Sequence, residues 1–166
     1  MAGFAKSILV AMLAAVAMVI MMNVAFFFPW YINVIETCFE VSQIVANENY
    51  LPGDDYHNIY GELSNRPIFN KRNGADELSI EVTHQSSKNG KETECGRTAE
   101  YYYDKPESEK PYVQKGNPVT VTVKATYPFQ MNIAGNEVEV ADIPVEISIN
   151  TMTLKYYKDL EYYVDW

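Results

Sequence analysis

The chain opens with a long apolar run that differs in pattern from everything after it. From Ser7 to Phe28 there is no charged side chain, and Ser7 and Asn23 are the only polar interruptions. As a helix, these 22 residues would span about 33 Å, close to the ~30 Å hydrocarbon core of a bilayer. The run therefore predicts an uncleaved membrane-spanning helix, shielded by lipid or by other helices.

Two other interpretations of the run remain open. A cleaved signal peptide needs small residues at its exit, whereas this run ends in Phe26–Phe28, Pro29 and Trp30. A core helix of a soluble protein would need a polar face for water. Lys6 before the run and Trp30-Tyr31 after it predict that the N-terminus is inside and the rest of the chain outside.

Past Pro29 the apolar positions recur every three or four residues, which is typical of an amphipathic helix. Polar residues such as Asn33, Glu36 and Glu40 repeat on the opposite side. One helix over residues 1–47 is predicted, with room for a kink at Pro29. Its second half is expected to pack on the rest of the molecule through Val34, Cys38, Val41 and Val45, with Tyr31 on the same stripe.

Residues 48–77 contain many Pro and Gly and predict an irregular loop. From Leu78 the apolar period falls to two, which favours strands. Residues 78–166 are therefore predicted to form an antiparallel β head of four to six strands, and the whole chain an α+β lollipop. The expected strands are Leu78–Thr83, a partner after the Asn89-Gly90 turn running through Cys95 to Tyr103, Val119–Tyr127, the short hairpin Phe129–Ile133 with Glu137–Val140, and Val145–Leu154.

Charge appears after the apolar run. Glu36 onwards holds 12 Lys/Arg and 22 Asp/Glu, a net charge of −10, which argues against nucleic acid and against a polybasic grip on lipid. The two cysteines, Cys38 and Cys95, are expected to form one disulfide if the compartment is oxidising. The alternative is two buried free thiols.

Candidate chemistry is sparse. His57 is expected in a loop and His84 on the polar side of a strand, and no HExxH or GxSxG motif occurs. Asp54-Asp55 with His57 is weighed as a calcium site, but an acidic loop is more often simply solvated. We expect no enzyme, no metal and no cofactor.

Aromatic residues are abundant, with 13 tyrosines. They either fill a small core or make contacts between copies of the chain, because rigid aromatic surface with a polar tip suits interfaces. The predicted inter-subunit aromatics are Tyr156, Tyr157, Tyr162 and Trp166.

The layout of an apolar N-terminal helix, a continuing amphipathic stem and an antiparallel sheet resembles that of the type IV pilins, and four segments support the resemblance. They are Gly3-Phe4 before the apolar helix, Val119–Val123 (VTVTV), Tyr127-Pro128-Phe129 and Ile147–Lys158. More narrowly, the chain resembles the TadE-like pseudopilins of tight-adherence pilus systems and a related pilin-like family of Gram-positive bacteria. The resemblance implies a non-enzymatic subunit of an extracellular filament.

In that reading the subunit first resides in a bacterial membrane, and assembly machinery then moves it into a homopolymer. The resemblance implies a filament core packed through Leu9, Leu13, Ala14, Val16, Ala17 and Ile20. Pilins usually carry Glu at the fifth mature position. Here that position is Ala5, or Ile8 if cleavage follows Gly3, and no carboxylate precedes Glu36.

The missing carboxylate favours an alternative function. The chain would then be a single-pass membrane-anchored accessory protein of a pilus or secretion assembly, with an extracytoplasmic binding head. A surface enzyme or carbohydrate-binding head ranks last, because only Asp54-Asp55 supports it.

Overall fold

A computed structural model describes residues 2–66, 69, 78–84, 94–95, 97–133 and 136–160. The side chains of residues 2, 94–95, 130–133, 136–137 and 139–140 are outside that description. The fold is mixed α+β. Its elements are α1 (Ala2–Glu48), β1 (Leu51–Pro52), α2 (Gly53–Ser64), β2 (Ser79–His84), β3 (Glu94–Cys95), two 3₁₀ turns (Ala99–Tyr102 and Glu107–Glu109), β4 (Pro118–Ile133) and β5 (Asn136–Met152).

Helix α1 is a single helix of 47 residues, with Pro29 inside it. It ends where Asn49 takes a left-handed backbone conformation, with φ 63°. The Asn49 N–H donates to the Val45 carbonyl at 2.8 Å, which satisfies one of the carbonyls left free at a helix end. The predicted long N-terminal helix is confirmed.

The main sheet is antiparallel, with strand order β2-β4-β5. In the register, Val121 of β4 lies opposite Val82 of β2 and Ile149 of β5. Strands β4 and β5 form one long hairpin with a register shift between Phe129 and Gln130. The short hairpin and the two flanking strands expected from the sequence are therefore two continuous strands, and the sheet has three strands among the residues described.

The core lies between the second half of α1 and one face of this sheet. The predicted stem-to-head residues, Val34, Cys38, Val41 and Val45, are fully buried, as is Trp30. They pack against the inward residues of the sheet and against α2. We call α2, the sheet and the segments that follow them the head. The inward residues are Ile80, Val82, Val119, Val121 and Val123, with Ile59 and Leu63 from α2.

Strand β4 runs antiparallel to α1 along its length. At one end Leu154, just after β5, donates its N–H to the Ala46 carbonyl at 2.8 Å. In the middle the Cys38 thiol lies 3.7 Å from the Val121 carbonyl oxygen. At the far end the Tyr127 hydroxyl donates to the Asn23 carbonyl at 3.1 Å. The sheet therefore lies along α1 from Ala46 to Asn23.

Two local predictions differ from the structure. The segment expected to be an irregular loop contains α2, a helix of 12 residues, whose apolar period was obscured by Pro52, Gly53 and Gly61. The expected strand from Cys95 to Tyr103 is instead a two-residue strand paired in parallel with β1, followed by a 3₁₀ turn. The Asn89-Gly90 turn lies outside the described residues.

The predicted disulfide is also contradicted, because Cys38 is a free thiol. Its Sγ lies 3.5 Å from the Ile147 carbonyl oxygen, beneath the middle of the sheet. The Cys95 backbone pairs with Pro52, beyond the end of α1. Cys38 and Glu48 alone are separated by about 15 Å of helix, more than the 7 Å Cα separation that a disulfide tolerates. For Cys38 the alternative, a buried thiol, holds.

His84 lies on the buried face of β2, not on its polar side as predicted. Strand β2 alternates evenly, so position 84 shares a face with Ile80 and Val82. One ring nitrogen lies 3.2 Å from the Pro111 carbonyl oxygen. His84 is therefore a structural residue of the core.

Candidate functional site: the bare half of helix α1

The most unusual surface of the molecule is the first half of α1. From Gly3 to Met22 every side chain except Val19 is exposed, and Val19 is partly buried. Leu9, Leu13 and Met18 are 60–68% exposed, although side chains of this type are normally found in a core. We call residues 3–22 the bare segment.

All six residues predicted to pack in a filament core lie in the bare segment. Each is exposed, and they are Leu9, Leu13, Ala14, Val16, Ala17 and Ile20. Ser7, Ala11 and Ala14 form a shallow groove along one side, bordered by Lys6 and Val10. Small residues of this kind let the backbone of another helix approach closely.

By length and composition, α1 is the one helix in the described part of the chain that could cross a membrane. Its most apolar window has a mean hydropathy of 2.6. An N-terminal signal sequence meets the same two criteria. The exposure of the bare segment sets it apart from the core helix of a soluble protein, whose apolar side chains are buried.

Aromatic rings cluster on one side of α1 where the bare segment meets the head. The ring centroids of Phe27 and Trp30 each lie 5.2 Å from that of Tyr127, in edge-to-face contacts. Phe69 stacks on Trp30 at 5.5 Å, and Tyr31 stacks on Phe27 at 5.7 Å. We call these five residues the aromatic collar, and burial raises the pKa of its Tyr127 phenol.

Asn23 marks the lower limit of the collar. Its carbonyl accepts the Tyr127 hydroxyl, and its side-chain amide donates to the Val19 carbonyl at 3.0 Å. Because the amide bonds within its own helix, it does not present its full polarity to an apolar surrounding. Contact between head and helix thus begins at Asn23.

The opposite end of the head has an open cleft of about 300 Å³. Its walls include Asp54, Asp55, Arg97 and Lys155. Asp54 and Asp55 occupy the first turn of α2, where the helix dipole favours carboxylates. Within the part of the chain that the structure describes, no cluster of three or more His, Cys, Asp or Glu could hold a metal. His57 lies in α2 and contacts the ring of Tyr56.

Residues 153–160 form what we call the C-terminal strap, which crosses the end of α1. The buried Asn49 amide donates to the carbonyls of Val113 and Lys155, at 2.8 and 2.5 Å. The Asn49 Oδ1 accepts the Lys155 N–H at 2.9 Å. Lys155 also pairs with Glu48. Sequence reasoning missed Asn49, because its partners lie far away along the chain.

The predicted inter-subunit aromatics differ in how exposed they are. Tyr156 is 51% exposed, and its contact with another subunit stays a prediction. Tyr157 is 3% exposed, its hydroxyl donates to the Glu48 carbonyl at 2.8 Å, and its ring stacks on Tyr112 at 4.2 Å. It is a core residue of the strap, so the prediction is wrong for Tyr157. Tyr162 and Trp166 lie outside the described residues.

An ion pair between the buried Lys110 and the half-buried Asp159 fixes the end of the strap. The Lys110 ammonium donates to the Asp159 carboxylate at 2.5 Å, and the Tyr112 hydroxyl donates to the same oxygen at 2.8 Å. Burial alone would raise the pKa of Asp159, but these two donors outweigh it and lower that pKa. The ionised Asp159 carboxylate thus links the strap to Lys110 and Tyr112.

No family model matches the chain, and no curated protein or solved structure shows significant similarity to it. Function is therefore inferred from the geometry of the bare segment and of the head that carries it.

Proposed function

We propose that this protein is a pilin-like structural subunit. It resides in a membrane through the bare segment, with its N-terminus inside, and then polymerises through the same segment into an extracellular filament. The observation that carries the proposal is the division of one helix into two environments. Its first half is apolar and exposed, while its second half is buried in an antiparallel head.

The energetics require that the bare segment be shielded. Eleven large apolar side chains between Phe4 and Met22 are exposed. Removing each from water is worth roughly 1.5–3 kcal/mol. Summed over the segment, this is a large favourable term for leaving water. Lipid or neighbouring apolar helices are the surroundings that fit.

The groove favours association over anchoring alone. Ser7, Ala11 and Ala14 line one side of the helix, and a Cβ added at Gly3 would meet nothing within 4 Å. A second helix could approach along this side with close backbone contact. A segment that only anchors the protein in lipid does not need such a side.

A second candidate function is a single-pass accessory protein whose head binds a partner outside the membrane. The observation that favours it is the absence of a carboxylate before Glu36. In the resemblance to pilins, the glutamate at the fifth position would pair with the terminal amine of a neighbouring subunit. Residues 1–35 hold no carboxylate that could do so, and charges buried in an apolar core must be paired.

Replacing one small residue separates these two functions. Ala14→Leu fills the groove without lowering hydropathy. We expect the membrane fraction to keep the variant, while cross-linked oligomers and sheared surface filaments fall at least fivefold. Ala5→Leu, at an exposed position on the opposite side of the helix, makes the same change without entering the groove and serves as the control.

The stoichiometry of the product gives the decisive measurement. Filaments seen by electron microscopy that contain this chain as a main component support the subunit. A chain that stays monomeric in mild detergent, with Ala14→Leu unchanged from the parent, supports the accessory protein and overturns the filament proposal.

A further inference from the structure

We propose that the head rests directly on the membrane surface, with the edge of the hydrocarbon at Asn23. The sequence alone places that edge near Trp30, about seven residues or 10 Å later along the helix. This inference rests on the membrane residence in the proposed function. Its partner is the headgroup layer of a lipid bilayer.

The first step is that protein already covers one side of the helix above Asn23. Tyr127 reaches the Asn23 carbonyl through its hydroxyl and contacts the rings of Phe27 and Trp30. Trp30 is fully buried, so it cannot be the aromatic residue that lies at the lipid boundary. Phe26 and Phe28 are exposed at this level and are suited to the interface.

The second step is a carboxylate at the same level. Strand β5 pairs Ile143 with Tyr127 and Asp142 with Pro128, and paired residues of neighbouring strands lie about 5 Å apart. Asp142 is exposed. Since Tyr127 touches Asn23, hydrocarbon that rose to Trp30 would immerse Asp142, and an acidic side chain in hydrocarbon is strongly disfavoured.

The third step is length. Phe4 to Met22 is 19 residues, about 28 Å of helix, which nearly equals the ~30 Å hydrocarbon core. Lys6 lies close enough to the start to extend its ammonium to the interface. A segment of this length fits the hydrocarbon core without a surplus, which leaves no stalk between the membrane and the point where the head contacts α1.

The test uses the full chain in phosphatidylcholine vesicles, with Cys95 replaced by Ser and the buried Cys38 kept. Single cysteines are placed at Val16, Val24, Phe28 and, as a head control, Tyr101. Val16 and Tyr101 are both 47% exposed, so only the surroundings differ between them. A membrane-impermeant maleimide is added, and circular dichroism checks that each variant is folded.

We expect labelling at Val24 and Phe28 to be within threefold of Tyr101, and labelling at Val16 to be at least tenfold slower. Protection at Val24 and Phe28 equal to that at Val16 would place the boundary near Trp30 and overturn this inference, while membrane residence would stand. Labelling of Val16 as fast as Tyr101 would overturn both this inference and the proposed function.

Discussion

At the scale of single residues, Asn49 connects the end of α1 to two segments that are distant along the chain. Its left-handed backbone ends α1, a conformation that Asn accepts better than most residues. Its side chain makes three hydrogen bonds, to Val113 and to both the N–H and the carbonyl of Lys155. One amide therefore fixes where the helix stops and where the strap crosses it.

Substituting Asn49 separates these two roles. Asn49→Gly keeps the left-handed backbone and loses the side-chain bonds, which we expect to lower the free energy of unfolding by about 2–4 kcal/mol. Asn49→Ala should cost about 1 kcal/mol more, because alanine is strained there. Urea unfolding of the full chain in detergent, followed by circular dichroism, measures both. Unchanged stability in Asn49→Gly would contradict the role of the amide.

The buried tyrosines Tyr112 and Tyr157, at the C-terminal strap, predict an alkaline limit to stability. Burial, followed by the nearby carboxylates of Asp159 and Glu48, raises the pKa of Tyr112 and Tyr157. The folded state therefore keeps both phenols neutral, whereas an unfolded tyrosine ionises near pH ~10. The sign follows from linkage: their contribution is complete below pH ~10 and declines as the pH rises above it.

Tyr157→Phe should therefore flatten the loss of stability between pH ~9 and ~11. It should also lower stability at neutral pH by about 1 kcal/mol, because the hydrogen bond to Glu48 is lost. Tyr156→Phe is the matched control, since Tyr156 is exposed and should leave the pH slope unchanged. Equal slopes in both variants would show that Tyr157 does not titrate with unfolding. Urea midpoints at each pH give the measurement.

At the scale of elements, the parts that could be predicted are those with a repeating apolar pattern. Apolar residues recur every three or four positions in the stripe Val34–Cys38–Val41–Val45 and every second position in Val119–Val121–Val123. All seven residues are fully buried. Such patterns are local, so one sequence suffices to read them.

The elements that could not be predicted depend on distant partners. Helix α2 is short and interrupted by Gly61, so its period is weak. Tyr157 looks like a surface aromatic until Glu48, far back along the chain, is found to accept its hydroxyl. The pairing of Cys38 with Cys95 followed from counting cysteines, but the fold places the Cys95 backbone beside Pro52 instead.

Two neighbouring residues of α1 test which face the sheet covers. Val41 is fully buried and Phe39 is 53% exposed. Val41→Ala should lower the free energy of unfolding by about 2 kcal/mol through lost packing and a cavity. Phe39→Ala removes more atoms but should change it by less than about 0.5 kcal/mol, since exposed positions contribute little. If Phe39→Ala costs more than Val41→Ala in urea unfolding, the orientation of α1 against the sheet is wrong.

At the scale of the whole molecule, one continuous helix has two differently covered halves. Its second half is part of the head, because Trp30, Val34, Cys38, Val41 and Val45 form one wall of the core. Its first half makes no contribution to that wall and stays exposed. The boundary between them is the aromatic collar, so the head and the bare segment should be separable at Asn23.

Two shortened chains test this separation. A chain that starts at Asn23 keeps the whole core wall, so we expect it to be monomeric in buffer without detergent and to melt at the temperature of the full chain. A chain that starts at Ile35 loses Trp30 and Val34, which should cost more than about 4 kcal/mol and leave the head largely unfolded. Size-exclusion chromatography and thermal circular dichroism distinguish the two. A chain from Asn23 that aggregates or melts much earlier would show that the bare segment supports the head, and the division of α1 at Asn23 would then be wrong.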